Sequence, residues 1–372
     1  MFERLVDSSG SRFKDGHARR TARFHRMFGD GAVWKIIMKV PGVHQAKVPS
    51  PYLRLRMGKH LIIGASGQLG IELMLGLQAQ VGPENVVLSD VKPSDHPSSA
   101  LSPFVAADAT DLDAQRALFE SHQVDVVYNL VAMLSAKGEA NPMAAWQLNM
   151  APLLHTLELA KEGLVGKVFW PSSIAVFGPD APKNDTPQHA TLTPSTVYGL
   201  SKAAGELWCK YYHDKHGVDV RSIRYPGLIG SNSQPGGGTT DYAVDAFVKA
   251  LSGETLTCYL EHDERLPMMS MHDAVRGTME LMAAPRESIR IRTSYNMSGC
   301  AFTPAELASA IRKHVPEFNI AYAPDHRQTI AASWPNSLND DAARQDWGWQ
   351  PVHDLGSLVS HVLDGLAQPS RR

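Results

Sequence analysis

Short apolar runs alternating with amphipathic helical stretches, a glycine-rich turn between the first run and the first helix, and a loss of that alternation after about Ile229 predict an α/β chain. The expected form is a Rossmann-type doubly wound parallel sheet with a smaller C-terminal substrate-binding lobe. His60-Leu-Ile-Ile63 is the first strand, and residues 71–80 follow with helical periodicity. Residues 86–89, 124–130, 168–170 and 220–223 read as further strands, with a helix over 143–159. After Ile229 comes a Pro/Gly/Ser-rich loop over 231–238, then a helix over 239–251 with a Thr cap, then mixed short strands and helices such as 304–315. The expected domains are therefore a basic extension over 1–57, a dinucleotide-binding domain over 58–230 to which 263–285 return, and a lobe made of 231–262 and 286–372.

Composition excludes several classes. A net charge of -2 gives no footing for nucleic acid. Three separated cysteines, Cys209, Cys258 and Cys300, form no disulfide framework or zinc motif, so no metal is expected. No apolar run approaches the ~18 residues of a membrane span. Residues 1–56 carry twelve Lys or Arg against four acids. They read either as an Arg-rich targeting peptide or as an upstream extension of a chain starting at Met57. The expected compartment is cytoplasmic, or mitochondrial if the extension is a transit peptide.

The turn Gly64-Ala-Ser-Gly67-Gln-Leu-Gly70 lies between a strand and a helix, the context in which glycine spacing carries meaning. Gly64 permits the tight turn, Gly67 lets backbone approach a pyrophosphate, and Gly70 lets helix and strand pack closely. The helix start offers unpaired N–H groups to phosphate. The spacing is GxxGxxG, weaker alone than the usual fingerprint. Asp90, ending the second strand about 20 residues on, can accept hydrogen bonds from both ribose hydroxyls and would repel a 2'-phosphate, so the cofactor reads as NAD. Asp108, after the third strand, is a candidate adenine contact or a plain turn residue.

Pro194 and Ser195 signal a helix that carries Tyr198 and Lys202 four residues apart on one face. A nearby ammonium lowers a phenol's pKa, so Tyr198 can take a hydroxyl proton as general base. Ser173, with Ser172 at the end of the strand before it, can hydrogen-bond an oxygen that is becoming a carbonyl.

Gly64-x-x-Gly67-x-x-Gly70, Asp90, Ser173 and Tyr198-x-x-x-Lys202, in this order, resemble the extended short-chain dehydrogenase/reductase superfamily over roughly residues 59–284. The segments 224–229, 234–244, 266–271 and 333–349 are similar to its L-threonine 3-dehydrogenases, which extends the resemblance to about Pro351. The resemblance implies NAD-dependent oxidation of the 3-hydroxyl of L-threonine to 2-amino-3-oxobutanoate, with Tyr198 as base, Lys202 as its activator and Ser173 as hydroxyl partner. It implies substrate contacts at Ser135, Ser172, Ser173, Tyr198, Gly236, Thr239, Thr240 and Asp241. The expected cofactor set is Gly64, Gly67, Gln68, Leu69, Gly70, Asp90, Asp108, Leu130, Tyr198, Lys202 and Leu228. A homodimer is expected, with no nucleic acid or membrane partner.

Threonine is a zwitterion. Thr239, Thr240 and the N–H groups of the helix they begin can receive its carboxylate, and Asp241 can face its ammonium. The glycine-rich loop ahead of them reads as a closing lid or as a plain surface loop. The competing activities are a nucleotide-sugar epimerase or dehydratase with tightly held NAD, and a non-catalytic dinucleotide-binding regulator.

Overall fold

The apolar runs become strands that are buried on both sides, and their residues divide between two cores by alternation. Strands β1 (Lys59–Ile63), β2 (Val86–Asp90), β3 (Phe104–Ala106), β4 (Val124–Asn129), β5 (Lys167–Ser173), β6 (Val220–Tyr225) and β10 (Tyr295–Asn296) form one seven-stranded sheet in the order β10-β6-β5-β4-β1-β2-β3, parallel throughout. Leu61, Val127, Val168 and Trp170 join one core, with Phe119 of helix α2 (Leu112–His122), Leu157 of α4 (Pro142–Lys161) and Cys209 of α5 (Val197–His216). Ile62, Tyr128, Phe169 and Ile223 join the other, with Met74 of α1 (Gln68–Val81) and Met282 of α7 (Met271–Ala283). The computed structural model describes residues 58–231 and 236–367. The readings made of residues 1–57 and of Gln234 and Pro235 lie outside them.

Each helix start has a local cause. Asn141 accepts the Ala144 amide ahead of Pro142, and Thr196, one residue beyond the expected Ser195, accepts the Gly199 amide. Helix α5 stops at Gly217, whose φ of 70° is left-handed.

Past β6 the structure departs from the expected boundaries. Pro226 lacks the N–H that would continue the ladder, and β7 (Gly227–Ile229) pairs instead with β9 (Leu266–Ser270). With β11 (Cys300–Phe302) these make a separate three-stranded sheet. Of the stretch 263–285, β9 therefore lies in the smaller sheet, while α7 packs on α1 and β6. Conversely β10, within residues assigned to the lobe, supplies the seventh strand of the main sheet. The lobe is built from α6 (Tyr242–Ser252), β8 (Leu256–Cys258), α8 (Pro304–Arg312), β12 (Ile320–Tyr322), α9 (His326–Ala331) and α11 (Leu355–Ala367). A third core, which includes Phe177, Phe247, Leu266, Phe302, Ile311 and Val362, holds it. A further helix, α10 (Asp341–Trp347), packs on β10.

Two buried ion-pair groups tie the layers together. Asp219 accepts from Arg221 at 2.9 Å and Arg292 at 2.8 Å, and Arg221 also donates to the Ala284 carbonyl at 2.7 Å beyond the end of α7. Burial would raise the Asp219 carboxyl, but its two arginines outweigh that and hold it at about 2. Glu206 of α5 takes two hydrogen bonds from Arg224 of β6, at 2.8 and 2.7 Å. Removing one partner of such a pair costs about 3–5 kcal/mol, because the other is left buried and unpaired.

Candidate active site

The strand order reverses between β1 and β4, and a crevice opens at the carboxyl ends of strands on either side of such a point. A cavity of about 460 Å³ lies there. Its wall includes Gly64, Gly67, Gln68, Leu69, Gly70, Leu130 and Leu228 of the expected cofactor set. It also includes Ser135, Ser172, Ser173, Tyr198, Lys202, Gly236, Thr239, Thr240 and Asp241. Residues from six segments between positions 64 and 241 thus share one space. Asp90 and Asp108 are not among the wall residues.

The glycine turn has the geometry a dinucleotide phosphate needs. Gly64 has φ of +82°, in the region closed to most side chains. A Cβ on Gly70 would meet the Gly64 carbonyl and lie 2.7 Å from the Ala65 carbonyl oxygen, so only glycine lets α1 sit this close. Gly67 caps α1 with no side chain, and the first turn carries no acid. Among the described residues the amides of Gln68, Leu69 and Gly70 have no protein acceptor, and the buried Gln68 Nε2 has no partner either. These orphan donors at a helix start suit a pyrophosphate. Asp90 accepts from the Ser66 amide at 3.0 Å and the Val91 amide at 2.8 Å, which fastens the end of β2 to the turn. Asp108 is exposed and folded on itself. Its carboxylate accepts from the amide and the hydroxyl of Thr110, which hold its pKa below the ordinary value. The plain turn reading describes Asp108 better than the adenine contact.

Ser173 ends β5 and caps the short helical turn after it, accepting the Ala175 amide at 3.2 Å. Burial raises the Tyr198 phenol above its ordinary pKa, and the neighbouring Ser173 hydroxyl only partly opposes that rise. Lys202 is buried beneath them. Its ammonium donates to the Pro171 carbonyl at 2.6 Å and stands 5.6 Å from the Tyr198 ring centre. Burial drops Lys202 to about 7. A negative charge entering the cavity favours its charged form. Ser172 lines the cavity beside Ser173. Its hydroxyl donates to Glu206 at 2.7 Å and so completes the buried Glu206–Arg224 pair.

At the far end of the cavity the expected anion-binding helix start is already satisfied. Helix α6 begins at Tyr242, not Thr239, with Asp241 as its cap residue. The Tyr242 amide donates to the Tyr259 hydroxyl at 2.8 Å. The Ala243 amide goes to the Thr240 carbonyl, and those of Val244 and Asp245 go to the Asp241 carbonyl. None of these four amides of α6 is left for a carboxylate. Asp241 turns back instead, accepting the Gly237 and Gly238 amides at 2.7 and 2.8 Å. Burial raises its pKa, while those two amides, Lys137 and Arg327 oppose the rise. Thr239 and Ser135, a residue of the short helix α3 (Ser135–Gly138), pair through their hydroxyls at 3.0 Å. Lys137 of α3 and Trp334 also line the cavity. Sequence reasoning passed over both, although Lys137 lies two positions from the flagged Ser135 and Trp334 sits in a flagged segment.

This arrangement is that of a site able to remove a proton from an alcohol next to a dinucleotide. Residues 60–297 match the NAD dependent epimerase/dehydratase family. A mitochondrial L-threonine 3-dehydrogenase of Bos taurus is 44% identical over 314 residues, 84% of this chain and 83% of that protein. An uncharacterized epimerase/dehydratase of Staphylococcus saprophyticus is 41% identical over 312 residues, 83% of this chain and 97% of that protein. The holo form of a GalE-like L-threonine dehydrogenase from Cupriavidus necator superposes with a TM-score of 0.81 at 52% identity, covering 83% of this chain and 99% of that one. No helix among the described residues is long and apolar enough to cross a membrane. The chain belongs to the NAD dependent epimerase/dehydratase family, as an enzyme of it that resembles the family's L-threonine 3-dehydrogenases.

Proposed function

We propose that this enzyme oxidises the 3-hydroxyl of L-threonine to 2-amino-3-oxobutanoate with NAD. The observation that carries the reading is the meeting of Ser173, Tyr198 and Lys202 with the phosphate turn and the Asp241 cluster around one cavity. Gly64, Gly67, Gln68, Leu69 and Gly70 would hold the cofactor pyrophosphate, with Asp90 on the ribose, Leu130 and Leu228 along the crevice, and Lys202 deep within it. NAD, when bound, supplies the hydride acceptor. Tyr198 takes the hydroxyl proton, and Ser173 donates to the substrate oxygen as it gains carbonyl character. Lys202 stabilises the phenolate in its charged form.

Asp241 faces the substrate ammonium. The carboxylate is met by Lys137 and the hydroxyls of Thr240, Thr239 and Ser135, because the amides of α6 are spent. The cations of the cavity wall, Lys137 and Lys202, include no arginine among the described residues. That disfavours a nucleotide-sugar substrate, whose second phosphate calls for a bidentate clamp. Pairing of two copies is supported by an apolar exposed surface, Met143 and Trp146 on α4 with Leu207, Trp208 and Tyr211 on the neighbouring α5.

Tyr198→Phe tests the chemistry. Turnover should fall by ~10²-fold or more while NADH affinity, read by fluorescence titration, is kept. Near-native turnover across pH would remove Tyr198 from the role of base.

A further inference from the structure

Three histidines from separate segments gather at the corner where β9 turns into α7. His272 is the second residue of α7, His353 lies in the loop before α11, and His361 lies on α11. Their ring centres form a triangle of 5.3 Å (His272–His353), 5.7 Å (His272–His361) and 4.8 Å (His353–His361). A tetrahedral cation bound about 2.0–2.1 Å from each of three ring nitrogens spaces the ring centres about 5 Å apart. The His272 Nδ1 is buried and has no hydrogen-bond partner among the described residues. An orphan buried nitrogen is costly and marks a place where a ligand atom is owed a partner.

The surroundings have the form of an outer shell. His353 Nδ1 lies 2.9 Å from the Ser270 hydroxyl and 3.4 Å from the Asp273 carboxylate. That fixes the ring through one nitrogen and leaves Nε2 for a metal, as in carboxylate–histidine–metal arrangements. One ligand atom each of His272, Asp273 and His353 lie mutually within 4.8 Å. Asp273 itself is spent as an acceptor, taking the Val352 amide at 3.1 Å, the His353 amide at 3.1 Å and Arg276 at 2.9 Å. It therefore orients His353 and does not itself ligate. His361 is exposed and completes the set from the solvent side, by rotation of a broad ring torsion.

We infer that His272, His353 and His361 form a binding site for a divalent transition cation of the zinc type, with water as fourth ligand and Asp273 and Ser270 behind His353. Imidazole sets of this kind suit Zn²⁺, Ni²⁺ and Cu²⁺, not Mg²⁺ or Ca²⁺. The bound cation clips α11 to the start of α7, next to Met271, which lines the cavity. This inference stands apart from the threonine reading, since none of the three histidines lines that cavity.

The test is Zn²⁺ binding to the untagged full chain after chelator stripping, read by competition with a chromophoric chelator. It is paired with the visible absorption of Co²⁺ and with the melting temperature. One equivalent should bind, Co²⁺ should give a tetrahedral spectrum, and Zn²⁺ should raise the melting temperature. His361→Ala, at an exposed position, should weaken binding by more than the roughly 10–100-fold that follows loss of an outer-shell partner. His353→Gln should do the same, and the exposed His326→Ala, outside the cluster, should leave binding unchanged. Absence of stoichiometric binding to the wild type would overturn the inference. So would binding that survives His361→Ala and His353→Gln, or that falls equally in His326→Ala.

Discussion

Two turns of this molecule lead glycines into a helix, and they use the helix start in opposite ways. At Gly64–Gly70 the cap is a bare glycine and the amides of Gln68, Leu69 and Gly70 have no protein acceptor among the described residues. After Gly236–Asp241 the amides of the helix's first turn, Tyr242 to Asp245, are all taken, one of them by a tyrosine hydroxyl 17 residues further on. Similar sequence produces one open helix start and one sealed one. Glycine before a helix is thus permission for an anion site, and tertiary partners decide whether the donors stay available.

The largest expected effect comes from closing the open turn. In Gly70→Ala the new methyl meets backbone on two sides, and backbone cannot rotate away as a side chain would. Overpacking of this kind costs about 1–3 kcal/mol. NADH affinity should accordingly fall by up to ~10²-fold in fluorescence titration. Unchanged affinity would mean that the turn does not hold the cofactor.

A smaller effect is expected at the sealed turn. Asp241→Asn removes the charge proposed to face the substrate ammonium, and kcat/KM for threonine should fall by more than ~10-fold, the range for a hydrogen bond to a charged group. NADH affinity should not move. Burial raises the Asp241 pKa, so in the wild type the carboxylate becomes neutral as pH falls through a value above 3.8. The acid limb of kcat/KM should sit above the ordinary aspartate value and vanish in Asp241→Asn. An identical acid limb in the variant would assign it elsewhere.

The smallest effect on catalysis is expected from Tyr259→Phe. It leaves the buried Tyr242 amide without its partner, at a cost of ~1–3 kcal/mol in denaturant unfolding. Threonine kinetics should stay within about twofold, because that amide is sealed from the cavity. A new sensitivity to anions in this variant would sharpen the comparison, since one donor of the turn has been released.

What was legible in the sequence follows from how local each feature is. The β1–glycine–α1 unit lies in one stretch of the chain, and Tyr198 and Lys202 share a helix face by spacing alone. Ser135 and Thr239 were both named, yet their hydroxyl pair, 104 residues apart, depends on the lobe packing over α3. Tyr259 carried no signal, because a tyrosine reads alike whether its hydroxyl caps a helix or meets water. Lys137 was passed over for the same reason: only the fold brings it beside Asp241. The bond from the Ser172 hydroxyl to Glu206 was not legible, since it depends on the buried Glu206–Arg224 pair between α5 and β6. The Pro226 break, which diverts β7 and β9 into a second sheet, was visible as a proline but not as a change of partner.

The most direct test of the account is net NADH formation by the full chain supplied with NAD and L-threonine, set beside 3-hydroxybutyrate and a nucleotide-sugar panel. Stoichiometric NADH is expected with L-threonine and far less with 3-hydroxybutyrate, which leaves Asp241 without its ammonium partner. With nucleotide sugars no conversion is expected. Equal rates on the amino and non-amino substrates, or conversion of a nucleotide sugar without net NADH and no turnover of threonine, would contradict the account.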